Sequence, residues 1–191
     1  DLRTPLTRLK LQLALLDKKE TSKKMAEDID EMEKMLNDYL QYAKSQTEEK
    51  SVKFDLTNMI KDLLKKYEPR KYDFTSDEIF YFNGRENLIK RCISNIFENG
   101  LTYGSKIFVR VTKSINNLIL IIEDNGPGIP KSEYVNVFRP FYRVDKSRGL
   151  NKSGVGLGLS VSQDIAKSHG GNISLSERKG SGLVVKISLP F

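Results

Sequence analysis

The 191-residue sequence holds one cysteine, Cys92, and one histidine, His169. A lone thiol excludes an internal disulfide framework and every Cys-rich zinc pattern, and it suits a reducing compartment. Long hydrophobic runs are lacking too. The longest purely apolar stretch is the five residues from Leu118 to Ile122, where a membrane-spanning helix needs about 20. The segment itself is therefore expected to be soluble, not membrane-spanning. Charge of one sign is nowhere concentrated: the net +7 arises from 32 Lys and Arg scattered among 25 Asp and Glu. That is a solvated surface, without a basic stripe interleaved with stacking aromatics, and no nucleic acid is expected as partner. An acidic partner surface or a polyphosphate ligand stays open.

What is present has the composition of a globular protein, 38% hydrophobic and 30% charged, with length for a medium domain joined to a smaller helical element. Leu2, Leu6, Leu9, Leu13 and Leu16 step by four and three, and after DKKETSKK the pattern resumes at Met25, Ile29, Met32, Leu36, Tyr39 and Ala43. This predicts an antiparallel helical hairpin over residues 1–46, with Thr21 or Ser22 as N-cap of its second helix. That helix, running to about Ser45, spans roughly 35 Å, and its partner only about two-thirds of that. The overhanging apolar stripe implies residues ahead of Asp1. One hairpin covers too little apolar area alone, so two are expected to pair as a dimeric four-helix bundle.

The polar stretch SQTEEKS links to a second unit over residues 52–191. Helical spacing predicts helices at about 56–67, 86–101, 131–138 and 159–169, and strands are predicted at 79–82, 107–112, 118–123, 172–176 and 184–189. SINNL and KGSGL supply hairpin turns, so the fold class is α+β: a helical hairpin followed by a sandwich with helices on one face of an antiparallel sheet.

Four stretches of this unit carry chemistry. IIEDNGPGIP sets Asp124 at the end of an apolar strand, an acceptor for an exocyclic amine, with Gly126 and Gly128 allowing backbone to approach a planar ring; an ordinary turn with an Asp cap is the plainer reading of DNGPG alone. GVGLGLS puts Gly154, Gly156, Leu157 and Gly158 before a helix start, either a phosphate cradle or a hinge, and it lacks the Lys-Ser/Thr ending of a Walker loop. Upstream, Arg143, Lys146, Arg148 and Lys152 could close over phosphates or be solvated charge. IKRCISNIFENG sets Asn95 and Asn99 on one helical face, where neutral amide oxygens suit Mg²⁺ shared with phosphates, or are surface asparagines. Cys92 reads as a small core residue. His169, before Gly170 and Gly171, reads as a structural residue complementing a helix C-terminus. The aromatics of FRPFY read chiefly as core, with Phe138 and Phe141 able to brace the following segment.

These motifs in this order resemble those of the sensor histidine kinases of two-component systems, from Asp1 to the last strand. DLRTPLTRL is similar to the segment that follows the phospho-accepting histidine, SNIFENG to the asparagine box, DNGPG and GVGLG to the glycine boxes, and FRPFYRVD to the phenylalanine box and the start of the ATP lid. The resemblance implies a Bergerat-type ATP-binding fold, with ATP and Mg²⁺ bound. It further implies Asp124 on the adenine amine, Gly126 and Gly128 beside the ring, and Tyr103 stacked near it. Asn95 and Asn99 would hold Mg²⁺, Arg143 and Lys146 would approach the phosphates, and Gly154, Gly156 and Gly158 would fix the lid and its helix. Thr102 stands where many members carry Lys or Arg.

By the same resemblance the acceptor histidine would immediately precede Asp1. Asp1 would orient or deprotonate it, and Thr4 would position a water for dephosphorylation of a response regulator. The implied partners are a second copy of the chain, as a homodimer, and the receiver domain of that regulator. The implied location is the cytoplasmic side of an inner-membrane sensor. A non-catalytic ATP-binding dimerisation module and an ATPase of the gyrase and chaperone type remain alternatives, the hairpin weighing against the second.

Overall fold

The computed structural model describes residues 9, 25–26, 29–30, 32–33, 36, 49–144 and 156–191. The chain divides into two compact units, residues 1–48 and 49–191. In the first, every described residue is helical, and of the apolar stripe Ile29 is buried while Met25 and Met32 are each about half exposed.

The second unit contains seven strands and three α-helices among its described residues. Strands β1 (Val52–Asp55) and β3 (Tyr81–Gly84) form a small antiparallel pair, with Phe54 opposite Phe82 and their rings edge to face at 6.0 Å. The main sheet contains β2 (Tyr72–Ser76), β4 (Ile107–Lys113), β5 (Asn117–Asp124), β6 (Asn172–Glu177) and β7 (Leu183–Pro190) in the order β2-β4-β5-β7-β6. All its pairings are antiparallel except β2 with β4, which is parallel. Ile107, Val109 and Val111 of β4 and Leu183, Val185, Ile187 and Leu189 of β7 are buried at every second position, as a sheet with one covered face requires.

Helix α1 (Leu56–Leu64) begins where the Asp55 carboxylate accepts from Asn58 N at 2.8 Å, and it buries Leu56, Met59, Ile60, Leu63 and Leu64 at helical spacing. Thr57 is buried too: its hydroxyl accepts from Phe80 N at 2.9 Å and ties α1 to the approach of β3.

Helix α2 (Glu86–Tyr103) has no side-chain cap of its own at Arg85; instead the Glu49 carboxylate accepts from Asn87 N and Nδ2 at 2.7 and 3.1 Å. Its apolar face, Leu88, Ile89, Ile93, Ile96 and Phe97, is buried, and Gly100 lets the helix approach Ile107 of the sheet, where a Cβ would come within 2.7 Å of that side chain.

Helix α3 (Gly158–Ser168) ends in a Schellman motif: Gly170 at φ 73° bonds Lys167 O, and Gly171 N bonds Ala166 O at 2.8 Å. Between α2 and α3, Cys92 is fully buried and burial pushes its thiol up to about 12, while Ser162 Oγ donates to Cys92 O. It is the small core residue its sequence context suggests.

Four expectations need correction. Residues 131–138 form two short 3₁₀ turns, Lys131–Glu133 and Asn136–Phe138, because Val137 alone of their apolar residues is fully buried and Pro130 and Pro140 bracket the stretch. The strand expected at 79–82 starts at Tyr81, since Ile79 is 62% exposed beyond a turn in which Ser76 Oγ bonds Glu78 O. The sheet is mixed, because β2 runs parallel to β4. Phe141 is no core residue: it is 60% exposed and holds φ 64°.

His169 is structural, as expected, but as a neutral ring. Nδ1–H donates to Ile165 O at 2.8 Å and Nε2 accepts from Arg85 N at 3.0 Å, pinning the end of α3 to the start of α2. Burial holds the imidazole below its ordinary 6.5, helped by the Arg85 charge and opposed by the Ile165 carbonyl and Glu49. The unfolded chain therefore binds the proton more readily. The contribution of His169 is complete above pH 6.5 and is lost as pH falls through the folded value. Urea melts between pH 7.5 and 5 should show the parent losing stability faster with acidification than His169→Gln; parallel pH profiles would exclude this linkage.

Candidate nucleotide site

The site is built at the end of β5. Asp124 is buried, and its Oδ1 accepts from Gly126 N at 2.8 Å and Leu183 N at 3.3 Å. Burial raises the carboxyl above its ordinary range, while these two N–H groups and the Arg178 charge pull it back. Among the described residues no donor meets Oδ2. The carboxylate is thus fixed by one oxygen, leaving the other as an acceptor.

The loop after Asp124 is held against α2 and the following turn. Asn125 Oδ1 accepts from Ser105 N and Lys106 N at 2.9 and 3.0 Å. The Tyr103 carbonyl lies so close to Gly126 that a Cβ there would sit 2.9 Å from it, and Gly128 holds φ 75° against the backbone of Gly182. Gly126 and Gly128 are therefore required by close approach and by backbone conformation, respectively. Tyr103 is brought to this loop by its backbone, with its side chain partly exposed.

Helix α2 links this end to the start of α3. Asn95 Nδ2 donates to Gly158 O at 3.3 Å, which leaves its Oδ1 as an acceptor. Asn99, one turn further on, is half-buried with its amide unbonded among the described residues. Thr102 spends its hydroxyl on Glu98 O at 2.6 Å, inside its own helix.

Leu157 is the N-cap residue of α3 and provides no side-chain bond, so among the described residues the first N–H groups of that helix have no side-chain cap. Gly156 holds φ 74° with its carbonyl accepting from Phe141 N at 3.0 Å; a Cβ there would meet Phe141 and Tyr142 backbone. Gly158, by contrast, has room for a Cβ. Arg143 is half-buried before this junction. Asp1, Thr4, Lys146 and Gly154 lie outside the described residues.

Two contributors were not anticipated. Asn125 was hidden within DNGPG as a turn residue, although Asn at such a place commonly bonds nearby backbone. The turn between β6 and β7 and the start of β7 contribute, respectively, a bond to the glycine loop from Ser181 Oγ to Gly126 O at 2.7 Å and the donor Leu183 N; KGSG signals only a hairpin.

Residues 84–191, more than half of the chain, match the family of histidine kinase-, DNA gyrase B- and HSP90-like ATPases, and residues 1–48 match the His Kinase A phospho-acceptor domain. The chain belongs to the sensor histidine kinases. It is 32% identical over 192 residues to the sensor histidine kinase GtrS of Pseudomonas aeruginosa, covering 100% of this chain and 40% of GtrS. It is 28% identical over 213 residues to CpxA of Escherichia coli, again across 100% of this chain and 45% of that one. The chain thus spans less than half the length of these curated relatives.

In fold it is similar to full-length ShkA in complex with AMPPNP, with a TM-score of 0.74 at 17% identity, covering 100% of this chain and 44% of that one. The unit containing Asp124 holds the whole of the ATPase-family match. The phospho-acceptor match over residues 1–48 sets aside the gyrase- and chaperone-type alternative.

Proposed function

We propose that this chain supplies the catalytic core of a protein-histidine kinase that moves the γ-phosphoryl group of ATP to a histidine, and then to an aspartate in the receiver domain of a response regulator. Asp124 carries the reading. Its Oδ1 is committed to two backbone N–H groups, and its Oδ2 accepts the 6-amino group of adenine. Gly126 and Gly128 allow the ring to lie close, with Tyr103 beside it.

The phosphates then extend towards α3, whose first N–H groups receive no cap from the Leu157 side chain and whose positive dipole end favours an anion. Arg143 adds positive charge ahead of this junction, and the family resemblance assigns Lys146 the same role. The donor set fits Mg²⁺: neutral amide oxygens of Asn95 and Asn99 lie one helical turn apart, and among the described residues no acidic or histidine cluster competes for the ion. When bound, Mg²⁺ offsets charge on the phosphates during in-line transfer.

His169 is a poor acceptor, since both ring nitrogens are engaged in holding helices together. The acceptor is instead the histidine that the family pattern puts immediately before Asp1, with Asp1 orienting or deprotonating its imidazole. Thr4 positions the water that removes phosphate from the regulator. The exposed stripe residues Met25 and Met32 support a homodimer in which two hairpins cover each other's apolar faces. Among the described residues no helix is long and apolar enough to cross a membrane, and the cytoplasmic side of a membrane-anchored sensor is the proposed location.

A version carrying histidine ahead of Asp1, incubated with γ-labelled ATP and Mg²⁺, should gain acid-labile, alkali-stable phosphate, and lose it when that histidine is replaced by Gln. Nucleotide binding without any label would instead favour a non-catalytic ATP-binding dimerisation module.

A further inference from the structure

We propose that Ser181, on the turn between β6 and β7, is a positioning residue that acts through Gly126 on Asp124 and so sharpens the preference for a 6-aminopurine. This rests on the reading of Asp124 as the adenine acceptor. The Ser181 hydroxyl donates to Gly126 O at 2.7 Å, and the N–H of the same Gly126 donates to Asp124 Oδ1 at 2.8 Å. The second donor on that oxygen, Leu183 N at 3.3 Å, belongs to the first residue of β7, two positions beyond Ser181. The plane of the carboxylate is thus set by donors from the glycine loop and from the start of β7, and Ser181, on the turn leading into β7, bonds the two together.

The turn has a further anchor besides its bonds to the glycine loop and Asp124. Arg178 N donates to Gly182 O at 3.1 Å, its Nε meets Glu123 Oε2 at 3.2 Å and its Nη1 reaches Ser181 O at 3.4 Å. The guanidinium also lies 4.5 Å from the centre of the Phe108 ring. A turn braced in this way presents Ser181 to Gly126 from a fixed support. Without the hydroxyl, the glycine loop keeps its bond to Asp124 but loses its tether to the turn, so the direction of Oδ2 is less well defined. Only a nucleotide that uses Oδ2 feels the loss.

The experiment measures binding of ATP and of purine riboside triphosphate, which carries hydrogen in place of the 6-amino group, to the full chain by calorimetry with Mg²⁺. Ser181→Ala should weaken ATP about fivefold, the worth of one side-chain to backbone hydrogen bond, and leave the deamino nucleotide unchanged. Ser181→Thr, which keeps the hydroxyl, should match the parent for both. Equal losses for both nucleotides, no loss for either, or a Thr variant that behaves like Ala would overturn the proposal. Asp124→Asn is the control for the reading beneath it. If Asp124→Asn leaves the preference for ATP intact, the adenine assignment fails. If it erases that preference while Ser181→Ala preserves it, only the role of Ser181 fails.

Discussion

Asp124→Asn is expected to weaken ATP binding by roughly five- to 150-fold, the equivalent of about 1–3 kcal/mol for a buried polar contact turned unfavourable. The direction follows from the two backbone donors on this side chain. Gly126 N and Leu183 N both point at Oδ1, so the oxygen of a replacing amide must take that position and its NH₂ must take the position of Oδ2. A donor then faces the adenine amine, itself a donor. The fold should tolerate the change: the amide oxygen keeps both backbone bonds, and a buried charge whose carboxyl is already raised by desolvation is removed. Calorimetry should therefore report lost affinity with an unchanged melting temperature. Unaltered affinity would remove Asp124 from the nucleotide site, and joint loss of affinity and stability would make its role structural.

The features legible in the sequence are those whose cause is local. Asp124 stands at the end of a strand that is apolar at five consecutive positions, and the glycines after it mark a close approach of backbone whatever lies above. Helices α2 and α3 are spelled out by their buried positions, and the His-Gly-Gly that ends α3 is a Schellman motif in its own residues. The features that escaped depend on distant partners. Strand β1 is four residues long and exists through pairing with β3, some thirty positions on. Strand β2 has alternation over Tyr72, Phe74 and Ser76, but its neighbour is the parallel strand β4, reached through α2 without a hairpin turn to announce it. Capping of α2 by Glu49 is equally non-local, joining positions 38 apart. The same holds at the site. Ser181 and Leu183 contribute a hydroxyl and a backbone N–H, groups that leave no recognisable spacing in a sequence and acquire a role only when the sheet brings their turn beside Gly126.

Gly182→Ala should have the largest effect on folding, and comparison with Gly180→Ala isolates the reason. Both residues have positive φ, +98° at Gly180 and +119° at Gly182. Each alanine therefore incurs backbone strain, on the order of 1–2 kcal/mol. Their surroundings differ. A Cβ on Gly180 meets nothing within 4 Å, whereas one on Gly182 would overlap the carbonyl oxygen of Asp124 and sit 2.9 Å from its carbon. Backbone cannot swing aside as a flexible side chain can, so the turn must withdraw from the end of β5 and take Leu183 N and Ser181 with it. Gly182→Ala is accordingly expected to cost about 3 kcal/mol or more, a fall in melting temperature of roughly 6–12 °C for a unit of this size. Gly180→Ala should show only the strain and keep parental ATP affinity, while any folded Gly182→Ala protein binds ATP poorly because Oδ1 of Asp124 has lost a donor. Thermal melts and calorimetry on the two variants decide the matter. Equal destabilisation at both positions, with ATP affinity retained in each, would mean that the turn can leave the end of β5 without disturbing the carboxylate, and the site would then have to be built from the glycine loop alone.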